Sequence, residues 1–495
     1  MRIIVMMIIV SLTLFFCHSG STNPIEVTYK EHVEKNIYIP PISELTFNNL
    51  VELSKTAEPT GDLKLKLEKQ LSMVFIVNRK YDASLNKPYV RIGQWNIKRG
   101  FNVLAIKDVL NNAKDYESKH KNDVRKKKQT LFQDELNTFT NSDIICLNEV
   151  DVGMPRTNYE NIAAEIADSL GWNYVFSTEF IELGPIFQNL KIDKEQYAGL
   201  HGNLIISKFP IVSAKVIKLP DFYDWYRDEV HKKQSPLEHF RKFGAKKIFS
   251  ETIVPKEVRH GGRNVIIADI KLPNDKIITV VSTHLEDRAY PDQRLAQFKY
   301  LLDNIKNIKT PVILAGDFNT STTDTKPTSS KKEVEKRIRD PHFILRQAVF
   351  IPVPFVPGVG GLAAITVSKL LQYKDPFFPN IPIIFPNHER KLYTSLKKFQ
   401  FSDGGTFDLS GDKKNSYRGK KGLLSNSNQR HWKGFKSTYK FEKPRVIAYF
   451  KLDWFFVKPI GNHFKPFNGR TLATLNKSLK GGISDHNPIT VDIRL

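Results

Sequence analysis

Between Tyr89 and Leu495 one local pattern recurs: a short apolar run meeting a tight cluster of polar residues. Trp95-Asn96-Ile97 closes the run 90–97, Leu147-Asn148-Glu149 closes 144–150, and Ser282-Thr283-His284-Leu285 closes 276–283. Gly316-Asp317-Phe318-Asn319 follows 312–315, and Ser484-Asp485-His486 precedes 489–493. A further carboxyl, Asp453, lies inside Leu452-Asp453-Trp454-Phe455-Phe456. Runs this short, this apolar and rich in β-branched residues read as buried strands rather than helices. Amphipathic stretches that read as helices separate them at 131–138, 159–170 and 288–307. Residues 203–207 read as another strand, and 264–270 pairs with 276–283 as a hairpin around Pro273-Asn274-Asp275. Strands alternating with helices place the chain in the α/β class, in which side chains distant in sequence converge where strands end at one sheet edge.

The flanking segments differ. Residues 21–88 mix Pro, Asn and Lys with one helical stretch at 63–74, and read as an N-terminal extension packed on a main domain at 89–495. Residues 321–445 interrupt the strand–helix rhythm as a long insertion. It opens Ser/Thr-rich, then runs through 350–357, the apolar 358–371 and the Pro-rich 377–386. Much of it must be loop, because proline removes ladder donors and blocks helix interiors. Strand signals resume at 446–450 and 452–457.

At the N-terminus, Arg2 precedes an apolar stretch from Ile3 to Cys17, followed by Ser19, Gly20 and Ser21. This order reads as a signal peptide over 1–20, and so predicts a secreted or periplasmic protein. Lipid anchoring through Cys17 is disfavoured by the bulky Phe16 before it. Beyond this segment no apolar run reaches the roughly 18 residues that a membrane span needs. Processing would leave Cys146 as the single cysteine, so no intramolecular disulfide and no cysteine-type zinc site is expected. Cys146 reads as a small buried strand residue. With 40% hydrophobic residues the chain has ample material for a core, which excludes a wholly disordered protein.

Charge narrows the partners. Lys and Arg number 75 against 52 Asp and Glu, a net +23. Residues 321–450 hold 24 basic and 10 acidic residues, a net +14. Such a balance favours polyanions: nucleic acid, anionic lipid headgroups or phosphorylated small molecules. A second basic run, 119–128, reads as a solvated helix face.

The polar clusters form a coherent inventory. Glu149, Asp317 and Asp485 with the amides of Asn96 and Asn319 are hard oxygen donors of the kind that Mg2+ or Mn2+ prefers. His284 and His486 bring imidazoles, whose intrinsic pKa suits proton transfer near neutrality, and Asp453 is placed to orient one of them. Oxygen-ligated metal with two histidines suits in-line attack of water on a phosphodiester.

Taken in order, Trp95-Asn96-Ile97, Asn148-Glu149-Val150, His201 to Pro210, Thr283-His284-Leu285, Gly316-Asp317-Phe318-Asn319, Leu452-Asp453-Trp454 and Ser484-Asp485-His486 resemble the endonuclease/exonuclease/phosphatase superfamily. The superfamily includes pancreatic-type deoxyribonucleases, abasic-site endonucleases, neutral sphingomyelinases and inositol-polyphosphate phosphatases. The resemblance covers 89–320 and 446–495. It implies a four-layered α/β sandwich, two face-to-face sheets flanked by helices. It implies Glu149 as the principal Mg2+ ligand, with Asn96 and Asp485 nearby and Mn2+ as a substitute. Asp317 and Asn319 would position the attacking water and a phosphate oxygen. His486, oriented by Asp453, would act as general base or stabilise the phosphate, and His284 would stabilise or protonate the leaving side. Asn203 and Arg288 are substrate-binding candidates; Asp151 and Arg156, beyond Glu149, read as an ion pair.

Two functions follow as expectations. The first is a secreted, monomeric, metal-dependent phosphoester hydrolase, a phosphodiesterase or nuclease with nucleic acid as the favoured partner. The second is a sphingomyelinase- or phosphoinositide-phosphatase-like lipid hydrolase that docks on membranes through 350–386. A binding module without activity is disfavoured, since no catalytic position of the family pattern is lost.

Overall fold

The computed structural model describes residues 42–79, 87–183, 193–230, 258–320, 390–408, 438–439 and 452–495, together with the backbone of a few short strands elsewhere. The expectations placed on 1–20, Cys17, 350–386 and most of the basic insertion lie outside the described residues.

The chain runs through β1 (Glu26–Thr28), α1 (Phe47–Leu53), α2 (Gly61–Ser72) and β2 (Val74–Val77). β3 (Tyr89–Arg99) is joined to β4 (Ile144–Val152) by α3 (Val103–Asn111), α4 (Ala113–His120) and α5 (Gln129–Thr140). After α6 (Ile162–Leu170) come β5 (Asn173–Glu182), β6 (Leu200–Ser207), β7 (Ile211–Lys218) and α7 (Arg227–Val230). β8 (Arg259–Gly261), β9 (Asn264–Lys271) and β10 (Ile277–His284) precede α8 (Pro291–Ile305) and β11 (Val312–Asp317). Two small ladders, β12 (Gln372–Tyr373) with β13 (Ile381–Pro382) and β14 (Tyr439–Phe441) with β15 (Ala448–Phe450), flank α9 (Arg390–Lys398) in sequence. β16 (Asp453–Lys458), β17 (Pro466–Thr471), α10 (Ala473–Asn476) and β18 (Ile489–Arg494) complete the order.

Two sheets result. One runs β17-β18-β3-β4-β6-β5-β2, with β8 also pairing β5; the other runs β1-β7-β9-β10-β11-β16. Each holds one parallel pair among antiparallel ones, β3/β4 in the first and β10/β11 in the second. Both parallel pairs are strand–helix–strand units, the connection that a parallel pair requires.

Alternation along the strands sends apolar side chains both ways. Ile92, Ile144, Cys146, Val175 and Ile205 of the first sheet pack against Ile266, Ala268, Val280, Ile313 and Phe455 of the second. Leu147, Phe176 and Leu204 face outward onto Ile106 of α3, Leu136 of α5 and Ile166 of α6. On the other side Val281, Leu314 and Phe456 meet Phe298 and Leu302 of α8 with Leu392 and Leu396 of α9. Helix, sheet, sheet, helix is the four-layered sandwich. Cys146 is fully buried and free, and burial pushes its thiol up to about 12, so it is an inert core residue.

Three segments differ from the sequence reading. The helical stretch expected over 63–74 ends at Ser72, and Val74-Phe75-Ile76-Val77 forms β2, the sheet edge, because a β-branched and aromatic run gains more by pairing with β5. The basic run 119–128 is exposed as expected, but breaks into the single turns Lys121–Asp123 and Lys126–Lys128 around the buried Val124. Within the stretch expected as insertion, α9 with Phe401 and Phe407 belongs to the outer layer. Among the described residues no helix is long and apolar enough to cross a membrane.

Candidate active site

The two strand–helix–strand units present their C-terminal strand ends to one another, and there the polar clusters meet. In register, Asn96 stands beside Asn148, His284 beside Asp317, and Asp317 beside Asp453. Both β3 and β4 lose register at this point, between Asn96 and Arg99 and between Leu147 and Val150. The irregularity carries strain. Lys98, Arg99 and Glu149 all take positive φ, as does Asn319, whose short amide tolerates it best. Bulges of this kind re-aim a side chain out of the alternating pattern, and here they bring Glu149 to the Asn96 amide. Close packing also demands Gly316, at φ +153, where a Cβ would sit 1.9 Å from the Thr283 carbonyl oxygen.

Asp317 lies at the centre. Its Oδ2 is 3.7 Å from Nε2 of His284 and 3.7 Å from Nε2 of His486, and accepts from Asn96 Nδ2 at 3.1 Å. The Asn96 amide also donates to Glu149 Oε1 at 3.0 Å, so it bridges two carboxylates. Asn319 donates its backbone N–H to Asp317 Oδ1 and its side-chain Nδ2 to the Leu285 carbonyl, both within 2.9 Å. Burial and the Asp453 charge push the Asp317 carboxyl up, while the two imidazoles pull it down; the net direction is upward.

His486 is held from three sides. Its Nδ1 is 2.8 Å from Asp453 Oδ2, its carbonyl accepts from Trp95 Nε1 at 2.9 Å, and its backbone N–H donates to Ser484 Oγ at 3.2 Å. Burial opposes its charge, but Asp453 and Asp317 prevail and raise the imidazole to about 10, so it carries a proton at neutral pH. Burial works against the Glu149 carboxylate too, yet His284, His201 and Arg99 hold it at about 2.

His284 belongs to a second buried group that the sequence reading missed. Nδ1 faces Glu179 Oε2 at 3.5 Å and Arg263 Nη1 at 2.7 Å. His201 likewise has Nδ1 at 2.8 Å from Asp151 Oδ1, and the Arg156 guanidinium forks the same aspartate at 2.6 and 2.9 Å, the ion pair expected beyond Glu149. Glu179 and Arg263 carried no usable local signal, and His201 opens a stretch that carries the resemblance without being given a role there. Each lies mid-strand or in a loop without a strand-end cluster, and only the fold brings them under His284 and Glu149.

The remaining candidates stand further out. Asn203 is fully buried beneath the site: its Oδ1 accepts from Asn148 Nδ2 at 2.7 Å and its Nδ2 donates to Asn264 Oδ1 at 3.1 Å, in an amide chain between the sheets. Arg288, half-buried beyond His284, lies with its guanidinium carbon 5.2 Å from the Trp225 ring and 5.7 Å from Tyr223. Asp485 is exposed, and accepts from Ser484 Oγ at 3.2 Å.

The donor set fits a divalent cation. Glu149 and Asp317 bring two carboxylates to the Asn96 amide, which presents Nδ2 to both while its Oδ1 accepts from the Lys98 N–H at 3.0 Å. Asp317, Asp453 and His486, the last only in its neutral form, each offer a ligand atom within 4.8 Å of one another. Concentrated negative charge on oxygen donors at low exposure is the setting that hard divalent ions favour.

The two sheets of the sandwich pool carboxylates and histidines at one edge, a set of groups suited to hydrolysis of phosphate esters. The profile of the Endonuclease/Exonuclease/phosphatase family matches residues 93–486, and the chain belongs to that family of phosphoester hydrolases. A search of curated protein sequences finds no match. Among solved structures, an endonuclease/exonuclease/phosphatase from Beutenbergia cavernae is 15% identical over 83% of this chain and 72% of its own, with TM-score 0.34. The human Nocturnin catalytic domain is 15% identical over 84% and 96%, at 0.37. A mannosyl-6-phosphatase from Bacteroides thetaiotaomicron is 10% identical over 82% and 100%, at 0.36.

Proposed function

We propose that the protein is a secreted, monomeric, Mg2+-dependent phosphodiesterase that cleaves nucleic acid by in-line attack of water. The observation that carries this reading is the Asp317 carboxylate, flanked at 3.7 Å by both His284 and His486. Asp317 orients the water and takes its proton as the water oxygen bonds to phosphorus and the ester oxygen leaves, to be protonated from solvent. His486, protonated against Asp453, donates from Nε2 to a phosphoryl oxygen. Asn319 ties the end of β11 to Leu285 and so keeps the His284 and Asp317 strand ends together. Mg2+, or Mn2+ in its place, held by Glu149 and Asn96 with Asp485 nearby, would neutralise charge developing on the phosphoryl oxygens. Export follows from the apolar segment at 1–20, and preference for a polyanion from the net +23.

The test is phosphate-ester cleavage with Mg2+ or with EDTA, offering plasmid DNA, RNA, and sphingomyelin or phosphoinositide vesicles side by side, with His486→Ala as control. Cleavage of DNA or RNA that needs both the metal and His486 supports the reading. Cleavage of vesicles alone overturns it in favour of a lipid hydrolase.

A further inference from the structure

Arg263 sits immediately before β9 and is 4% exposed. Its guanidinium is fixed by four neighbours and a ring: Nη1 donates to Glu179 Oε2 at 3.0 Å and to His284 Nδ1 at 2.7 Å. Nε lies 3.5 Å from Glu286 Oε2, and Nη2 lies 3.5 Å from Asp287 Oδ1. The guanidinium carbon lies 5.0 Å from the Phe180 ring centre. A planar fork held on so many sides has little freedom to turn away from the imidazole.

A guanidinium carries donors only. An N–H aimed at Nδ1 from 2.7 Å therefore requires a lone pair on that nitrogen, since an Nδ1–H would meet it hydrogen to hydrogen. The proton of neutral His284 must then reside on Nε2, the nitrogen 3.7 Å from Asp317 Oδ2. His486 is built the opposite way. Its Nδ1 contacts the Asp453 carboxylate, an acceptor only, and so always keeps its hydrogen. Burial and Arg263 oppose a second proton on His284 while Glu179, 3.5 Å from Nδ1, and Asp317 favour it, with a net direction upward; yet Arg263, at 2.7 Å, is the closer partner of the nitrogen that would have to take that proton.

We infer that Arg263 is a positioning residue that locks His284 in its Nε2–H tautomer and makes it a fixed hydrogen-bond donor to the phosphate ester, not an acid or a base. A neutral imidazole that donates from Nε2 cannot release that proton without becoming an imidazolate, so His284 lends a hydrogen bond to a phosphoryl or leaving oxygen and transfers nothing. Neutral imidazole in such an electrophilic role is established chemistry for enzymes of other folds. The use made of the hydrogen bond rests on the hydrolase reading above; the tautomer does not.

The experiment is nitrogen-15 NMR of the full chain with labelled histidine, without substrate, with His284→Gln to identify the His284 signals. The wild type should show Nδ1 as acceptor and Nε2 as protonated at neutral pH. Arg263→Lys keeps the charge beside Glu179 but removes the fork, and should populate the Nδ1–H form. On a small chromogenic phosphodiester the same variant should lose about tenfold or more in kcat with KM nearly unchanged, the mark of a donor felt in the transition state. A wild type with Nδ1 protonated overturns the inference, as does an Arg263→Lys variant that retains the wild-type tautomer. The wild-type spectrum decides the tautomer even if the variant fails to fold. Failure of wild-type protein to cleave nucleic acid would sink the substrate assignment while leaving the spectra to judge Arg263.

Discussion

Asp453, 2.8 Å from Nδ1, raises the His486 imidazole and fixes its orientation, so the carboxylate is worth more to the site than its charge alone. Asp453→Asn preserves shape but can present an N–H to Nδ1. We expect kcat to fall by roughly 10³-fold or more with little change in Tm, as when a histidine's orienting acid is lost elsewhere. Steady-state kinetics with a parallel melting curve checks both halves. Glu179 offers a pH test: burial opposes its charge, but the Arg263 guanidinium holds its carboxyl at about 2, against an ordinary 4.5. A depressed carboxyl stabilises the fold fully above its unfolded value and loses that contribution as pH falls through the folded one. The Tm gap between wild type and Glu179→Gln should therefore be largest above pH 4.5 and narrow toward pH 2. At Gly316 the argument is steric. A Cβ 1.9 Å from the Thr283 carbonyl cannot be relieved by a flexible side chain, so Gly316→Ala should lose about 2 kcal/mol or more in chemical denaturation.

Elements decide where those residues stand. β3 and β4 are legible as strands because their apolar runs have no other use, yet their bulges at Asn96–Arg99 and Leu147–Val150 left no mark in the pattern. Those irregularities aim Glu149. The N-terminal segment shows the opposite case. A mix of Pro, Asn and Lys reads as an extension packed on the main domain, and the packing goes as far as the sheet itself: β2 pairs with β5, and Leu50, Leu53, Leu67, Phe75 and Val77 are buried in the outer core. Each such side chain is worth about 1.5–3 kcal/mol when buried, and a typical domain has only about 5–15 kcal/mol in hand. A variant lacking residues 42–79 should therefore fail to give a cooperative melting transition. If it melts like the intact chain, the edge strand contributes nothing to the sandwich.

At the scale of the whole molecule, charge sets the encounter with substrate. A net +23 implies that binding to nucleic acid releases counterions, so KM for DNA or RNA should rise steeply with salt while a small diester is barely affected. Measuring kcat/KM for both between low and physiological salt separates phosphate tracking from chemistry. By itself the sequence determined the α/β class, the buried strands, and the polar residues that the fold gathers at one place, namely Asn96, Glu149, His284, Asp317, Asp453 and His486. All belong to the polar clusters that border the apolar runs, where local pattern and chemistry coincide. Only the tertiary structure decided that Glu179, Arg263 and His201 stand behind them, that Asn203 lies under the site, and that Asp485 is exposed. The physical reason is that hydrophobic periodicity records which face of an element is buried, whereas contacts between two sheets depend on register, bulges and crossing strands that no local window of sequence contains.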